Sequence, residues 1–312
     1  MNTLQKAVFT HKQYKAFQHT LCANGTATNS NSEQWLTYPL DYNGPAVLVP
    51  HTAISAALKA DKKATLAPEG SSLLVAGMSI SFDAFDVSDF LATPIVDGLE
   101  YTVPGFAAAL KQVSYAMAVQ DARYYLLGVC LDITDSTIDV VATDGHRMER
   151  VSLAYVEGLP VGQYIIPRDA VKHCTGDIVR LSKEHMQCGG LVTKLIDAKY
   201  PDWRRLVPQP AEMATVGSAA LLKALTTLAP FADKKYKGCT LAFSRGGIAV
   251  TVGDASIVVQ ATCSIDSCIG FNILYLIDAI KASNEVVTAI GYTDSGSSIL
   301  INDTAIVMPM CL

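Results

Sequence analysis

The residues with the chemistry to catalyse something sit in two short polar strings. TDGHR at positions 143–147 places a carboxylate, Asp144, two residues before an imidazole, His146, and TDSGSS at 293–298 carries Ser295 and Ser297. A hydroxyl activated by a histidine that an aspartate orients would be the parts of a hydrolase. The company such parts keep is missing: the chain has no G-x-S-x-G elbow, no phosphate-binding loop and no H-E-x-x-H helix. Asp-Gly in the first string reads instead as a turn leading into the next strand. The chain is therefore read as non-catalytic. The eight cysteines, at 22, 130, 174, 188, 239, 263, 268 and 311, form no C-x-x-C pair. Reduced thiols in a cytosol are the expectation, with no metal and no cofactor.

Bulk properties narrow the partners. The chain has 312 residues, enough for two or three domains at roughly 100 to 150 residues each. Half of it is hydrophobic and 17% charged, which gives ample core and excludes global disorder. A net charge of -5 excludes a protein coated in basic surface, so any contact with nucleic acid must be local. No run of 18 apolar residues occurs, and the first residues, MNTLQKAVFTHKQYK, lack the basic-then-apolar order of a signal peptide. The protein is expected to stay in the compartment where it is made.

The elements that must position these strings repeat along the chain. Strand-then-helix units begin at Ala7 (AVFTHKQYKAFQHTL), Tyr101 (YTVPGFAAALKQV) and Ala214 (ATVGSAALLKALTTL), about one small domain apart. A second unit follows within each third, at Val47 (VLVPHTAISAALKA), Tyr164 (YIIPRDAVKHC) and Cys268 (CIGFNILYLIDAIKA). Apolar residues recur at helical spacing, as in Leu221, Ala224, Leu225 and Leu228 or Ile273, Leu276, Ile277 and Ile280. Between them CLDITDSTIDVVAT, TLAFSRGGIAVTVG and SSILINDTAIVMPM alternate as strands do. The pattern predicts an α+β fold in which each third packs two helices on one side of antiparallel sheet.

Three strings carry a resemblance. SYAMAVQDARYYLLGV at 114–129 is followed by VATDGHRM at 141–148. TKLIDAKYPDWRRLVP occupies 193–208. TDSGSS at 293–298 precedes IVMPMCL at 306–312, with GFNILYLIDAIKAS from Gly270 between. In order and spacing these resemble the β subunit of bacterial DNA polymerase III, the sliding-clamp family, closely over 101–312. Over the first hundred residues the likeness is mainly the strand-helix pattern.

The resemblance implies three clamp domains, 1–99, 100–212 and 213–312, in a head-to-tail ring of two chains with twelve helices facing duplex DNA. A topological link keeps such a ring on DNA without tight phosphate binding, which would stop sliding, and phosphate contacts carry no sequence information. It implies a polymerase processivity factor, cytoplasmic and nucleoid-associated, whose partners are double-stranded DNA, the replicative polymerase, a clamp loader and repair proteins. By the same resemblance Gln120, Arg123, Tyr124 and Tyr125 face DNA, joined by Arg168, Lys234, Lys235 and Lys237 at helix ends and by Lys12, Lys15, Lys62 and Lys63 in the first third. One of Tyr124 and Tyr125 is expected to pack in a core.

Partners of the family dock short peptides in a pocket. The matching positions here are Leu126, Thr143, Gly145, His146, Arg147, Met148, Pro201, Arg205, Leu206, Tyr275 and Ser298, with the tail Ile306, Val307, Met308, Pro309, Met310, Cys311 and Leu312. Leu126, Met148, Leu206, Ile306 and Met308 suit a Leu or Phe anchor, and methionines adapt to varied partners. Arg205 and the backbone at Gly145 would set the peptide's direction. Trp203 is expected to pack inward.

The first third departs from the family: it is short, and ANGTATNSNSE at 23–33 reads as a loop where the family has sheet. Ring closure by resemblance uses the edge strand AGMSISFDAF, with Ile80 and Phe82 meeting Pro230 and Phe231 of the other chain; Phe82 reads equally as a residue of its own core. The short first third keeps a second reading open, a clamp-derived peptide-binding adaptor or decoy that closes no ring.

Overall fold

Alternation of apolar and polar residues becomes sheet over most of the chain, in a computed structural model that describes residues 3–83, 85–264 and 266–311. Two compact units result, residues 1–103 with 172–195, and residues 104–171 with 196–312.

The first unit holds an eight-stranded antiparallel sheet whose order is Val47–Pro50, His19–Ala23, Thr26–Ser30, Gln34–Pro39, Leu191–Lys194, His185–Cys188, Ile178–Leu181 and Tyr101–Thr102. A smaller sheet joins Thr65–Leu66, Ser72–Val75 and, at its edge, Met78–Ser81. The helix α1, His51–Ala60, buries Ile54 and Ala57 among Val49, Leu66, Leu73 and Val75.

Two sequence expectations fail here. Most of the string 23–33 is hairpin and strand, with only residues 31–33 outside it: Asn24 and Gly25, with φ of 49° and 74°, turn the chain between His19–Ala23 and Thr26–Ser30, the positive-φ pair that a tight hairpin needs. Thr28, Asn29 and Ser30 are buried along that second strand. The Asn29 carboxamide oxygen accepts the backbone N–H groups of Val8, 3.2 Å, and Phe9, 2.9 Å. The helix expected after Ala7 gives way because its second half, His19–Ala23, pairs with Thr26–Ser30 and with Val47–Pro50, which leaves a single 3-10 turn, Lys15–Gln18.

In the second unit a nine-stranded sheet runs in the order Gly162–Pro167, Gly128–Ile133, Ile138–Thr143, Arg147–Leu153, Ala305–Val307, Ile299–Ile301, Val287–Tyr292, Glu212–Gly217, Ala261–Cys263. A four-stranded sheet orders Ala255–Val259, Gly247–Val252, Gly238–Ser244 and Ser267–Asn272. The helices are α2, Phe106–Val113, the one-turn α3, Arg168–Val171, then α4, Ser218–Leu228, and α5, Ile273–Ser283. The periodic leucines and isoleucines of α4 and α5 pack on Leu241, Phe243, Val250 and Phe271 as their spacing predicts. Asn272 caps α5 by accepting the Leu274 N–H at 3.0 Å, and Asn284 closes it in the left-handed region. Among the described residues no helix is long and apolar enough to cross a membrane.

Candidate functional site

Strings that lie far apart in sequence converge in the second unit. Arg147–Leu153 pairs antiparallel with Ala305–Val307, setting Arg147 opposite Val307 and Met148 opposite Ile306. The tail continues beside the TDGHR turn: the Met308 N–H donates to the His146 carbonyl at 2.9 Å, and the Met310 N–H to the Gly270 carbonyl at 2.9 Å. Beneath lies a core of Leu126, Met148, Tyr200, Trp203, Leu300 and Ile306. Trp203 is 2% exposed, as its expected inward packing requires. Tyr200 is equally buried, and that burial pushes its hydroxyl well above the usual range. Leu206 and Met308, by contrast, are 52% and 46% exposed at the rim.

The TDGHR turn explains itself once its hydrogen bonds are followed. The Asp144 carboxylate accepts the N–H groups of His146 and Arg147, at 2.9 and 3.0 Å, and the Arg147 Nε–H at 3.0 Å. Gly145 takes φ of 90°, where a side chain would strain the backbone and run into the Arg123 guanidinium at 2.9 Å. Asp144 is thus occupied in fixing the turn, and it orients the backbone around His146 rather than an imidazole base. Asp294 does the same for the second polar string, accepting Gly296 N–H and Ser297 Oγ–H at 2.8 and 2.9 Å; those bonds hold its carboxyl below the usual range.

Arg147 is drawn inward. Its guanidinium sits 5.1 Å from the Tyr115 ring and 4.4 Å from the Tyr275 ring, and its Nη1 donates to Asp278 at 2.6 Å. Next along the strand, Glu149 is fully buried and accepts the Tyr115 hydroxyl at 2.6 Å. Burial raises the Glu149 carboxyl, and burial together with that carboxylate raises Tyr115. Arg147 therefore ties the turn to α5, and the freely exposed arginine at the rim is Arg205, whose side chain is 84% exposed beside Asp202 at 2.7 Å. Thr143 is buried, its hydroxyl donating to the Arg147 carbonyl at 2.6 Å. Pro201, Tyr275, Ser298, Pro309 and Met310 are half-buried, and Cys311 is exposed. Leu312 lies outside the described residues.

The residues expected to face DNA are less uniform. Gln120, Tyr124, Lys234 and Lys235 are exposed, while Lys237 is half-buried and holds the Ile273 N–H through its carbonyl. Tyr125 packs at the edge of the Trp203 core. Arg123 pairs with Asp121 at 2.8 Å, which draws that carboxyl down to about 2, and it also reaches the Asp144 carbonyl. Arg168 donates to the carbonyls of Met117 and Ala118 at 3.2 and 3.1 Å. Of the expected contact residues of ring closure, Ile80 is 44% and Phe231 71% exposed, Pro230 is exposed, and Phe82 packs partly on the core around Leu73.

Sequence reasoning missed Arg204, Asp132 and Asp139. The available signal was an acid inside each of two apolar strands, CLDI and IDVV, since a buried carboxylate demands a partner. Comparison with known proteins then gives these strings a common origin. The model of the DNA polymerase III beta subunit central domain matches residues 102–202, and that of its C-terminal domain matches residues 204–307. A beta sliding clamp of Pseudomonas aeruginosa is 31% identical over 229 residues, 65% of this chain and 62% of that protein. One of Escherichia coli K12 is 30% identical over 243 residues, 69% and 66% of the two chains. The matched stretch thus spans less than two thirds of either relative. The crystal structure of the DNA polymerase III subunit beta from Pseudomonas aeruginosa superposes with a TM-score of 0.85 at 24% identity, covering 97% of this chain and 95% of that one, a likeness of fold. The chain belongs to the DNA polymerase III beta subunit family.

Proposed function

We propose that this protein is a DNA sliding clamp, a non-catalytic processivity factor that encircles duplex DNA and tethers a replicative polymerase and other clients through a peptide pocket. The observation that carries the reading is the convergence of the TDGHR turn, the Trp203–Leu206 turn and the C-terminal tail over one core, within the stretch that matches the family. A buried apolar floor with exposed Leu206, Met308 and Arg205 at its rim suits an extended peptide held by a few anchors. In this reading the chain has domains 1–99, 100–212 and 213–312 and two copies close head to tail. Ile80 and Phe82 of one copy meet Pro230 and Phe231 of the other. Gln120, Arg123, Tyr124, Tyr125, Arg168, Lys234, Lys235 and Lys237 face the DNA without reading sequence. Clients are the polymerase, a clamp loader and repair proteins, at the nucleoid in the cytoplasm.

Ring closure is tested by the solution mass across a concentration series. A mass of twice 33.3 kDa, constant through the micromolar range, is expected. A monomer throughout that range would favour the adaptor that closes no ring.

A further inference from the structure

We propose that Arg204 is the positioning residue of the peptide pocket, one that sets the pocket's wall without belonging to it; the inference rests on the peptide-pocket reading above. Gly128–Ile133 pairs with Ile138–Thr143 in a register that sets Asp132 opposite Asp139, and both residues are only 5% exposed. Like charges directly opposite on neighbouring strands repel, and burying them raises the cost unless each is hydrogen-bonded to a counter-charge. The Arg204 guanidinium bridges them: Nη1 lies 2.5 Å from Asp132 Oδ2 and Nη2 2.9 Å from Asp139 Oδ2. The Trp203 Nε1–H donates to the same Asp132 oxygen at 2.8 Å, and the Ser152 hydroxyl to Asp139 at 2.6 Å.

The consequence falls on the neighbouring residues. Trp203–Leu206 is a single four-residue 3-10 turn, too short to hold its own geometry. Its first half is anchored, Trp203 in the core and Arg204 on the two carboxylates, and its second half, Arg205 and Leu206, points to solvent as the pocket's rim. The rim therefore takes its place from the anchor. The two carboxylates are buried while the Arg204 side chain is 42% exposed, so the guanidinium closes the pair from the surface and fixes where the turn lies against the strands. The planar fork matters, because one ammonium group cannot bridge two carboxylates in the same way.

The test is the affinity of a fluorescent clamp-binding peptide with a Leu and a Phe anchor, read beside the thermal midpoint. Arg204→Gln should weaken binding at least fivefold, and Arg204→Lys should recover no more than part of it. Arg204→Gln with Asp139→Asn removes the repulsion, so the midpoint should return towards that of the unchanged protein while affinity stays at least fivefold down. Affinity unchanged in Arg204→Gln, or recovering in step with the midpoint in the double variant, would overturn the positioning role. Absence of peptide binding by the unchanged protein would overturn the pocket reading itself, and the positioning role with it.

Discussion

Met308→Ala combined with Met310→Ala is expected to weaken a clamp-binding peptide tenfold or more, about 1.4 kcal/mol. The backbone of this segment is fixed independently of the two side chains. Met308 N–H is held by His146 and Met310 N–H by Gly270, while Ile306 and Val307 just before them are buried in strand. Truncation should therefore remove apolar surface from the pocket without releasing the tail. Met308 is 46% exposed without a peptide, so its side chain is available to cover an incoming anchor, and a flexible thioether adapts to Leu and Phe alike. Fluorescence anisotropy with a labelled peptide reads the change. Unchanged affinity would place the peptide elsewhere.

Ile80→Glu with Phe231→Glu is expected to turn a dimer into a monomer of 33.3 kDa at micromolar concentration. Met78–Ser81 is an edge strand with all four residues exposed, and Met78 and Ile80 are 60% and 44% accessible. An apolar edge of this kind invites pairing with another chain. Phe231 is 71% exposed at the end of the short turn Ala229–Phe231 that follows α4. A carboxylate at each position would lose its water on association without gaining a counter-charge, at several kcal/mol each, and a ring of two chains carries the change at both interfaces. About 4 kcal/mol per interface already raises Kd a thousandfold. Light scattering of the variant beside the unchanged protein reads the result, and a variant that stays dimeric would place the interface elsewhere. Because Ile80 and Phe231 are surface residues, each variant should fold with an unchanged circular dichroism spectrum.

Much of this was legible in the residues because the signals were local. Helices α4 and α5 follow from leucine and isoleucine spacing, and the TDGHR turn from Asp-Gly. Family strings marked the residues proposed for the pocket, and pairing of Arg147–Leu153 with Ala305–Val307 brings two of those strings together. What escaped depended on distant partners. Asn, Ser and Thr at 26–33 favour turns in isolation, but Asn29 is 20 and 21 positions from the two N–H groups that make it a strand residue. The helix expected after Ala7 gave way to the pairing of His19–Ala23 with two other strands. Arg204 reaches carboxylates 72 and 65 positions away, so nothing in its own neighbourhood revealed its role, and the Asp278 carboxylate that Arg147 meets lies 131 positions from it.

Encirclement is a topological link, and retention on circular against linear DNA separates it from binding. The protein, placed by a clamp loader on a nicked circular duplex, should elute with the DNA on gel filtration at a salt concentration that removes non-specific binding. Cutting the circle once should release it, since a ring held by no tight contact slides off an end. Equal retention on circular and linear DNA would mean that binding, not encirclement, holds the protein, and would contradict the clamp.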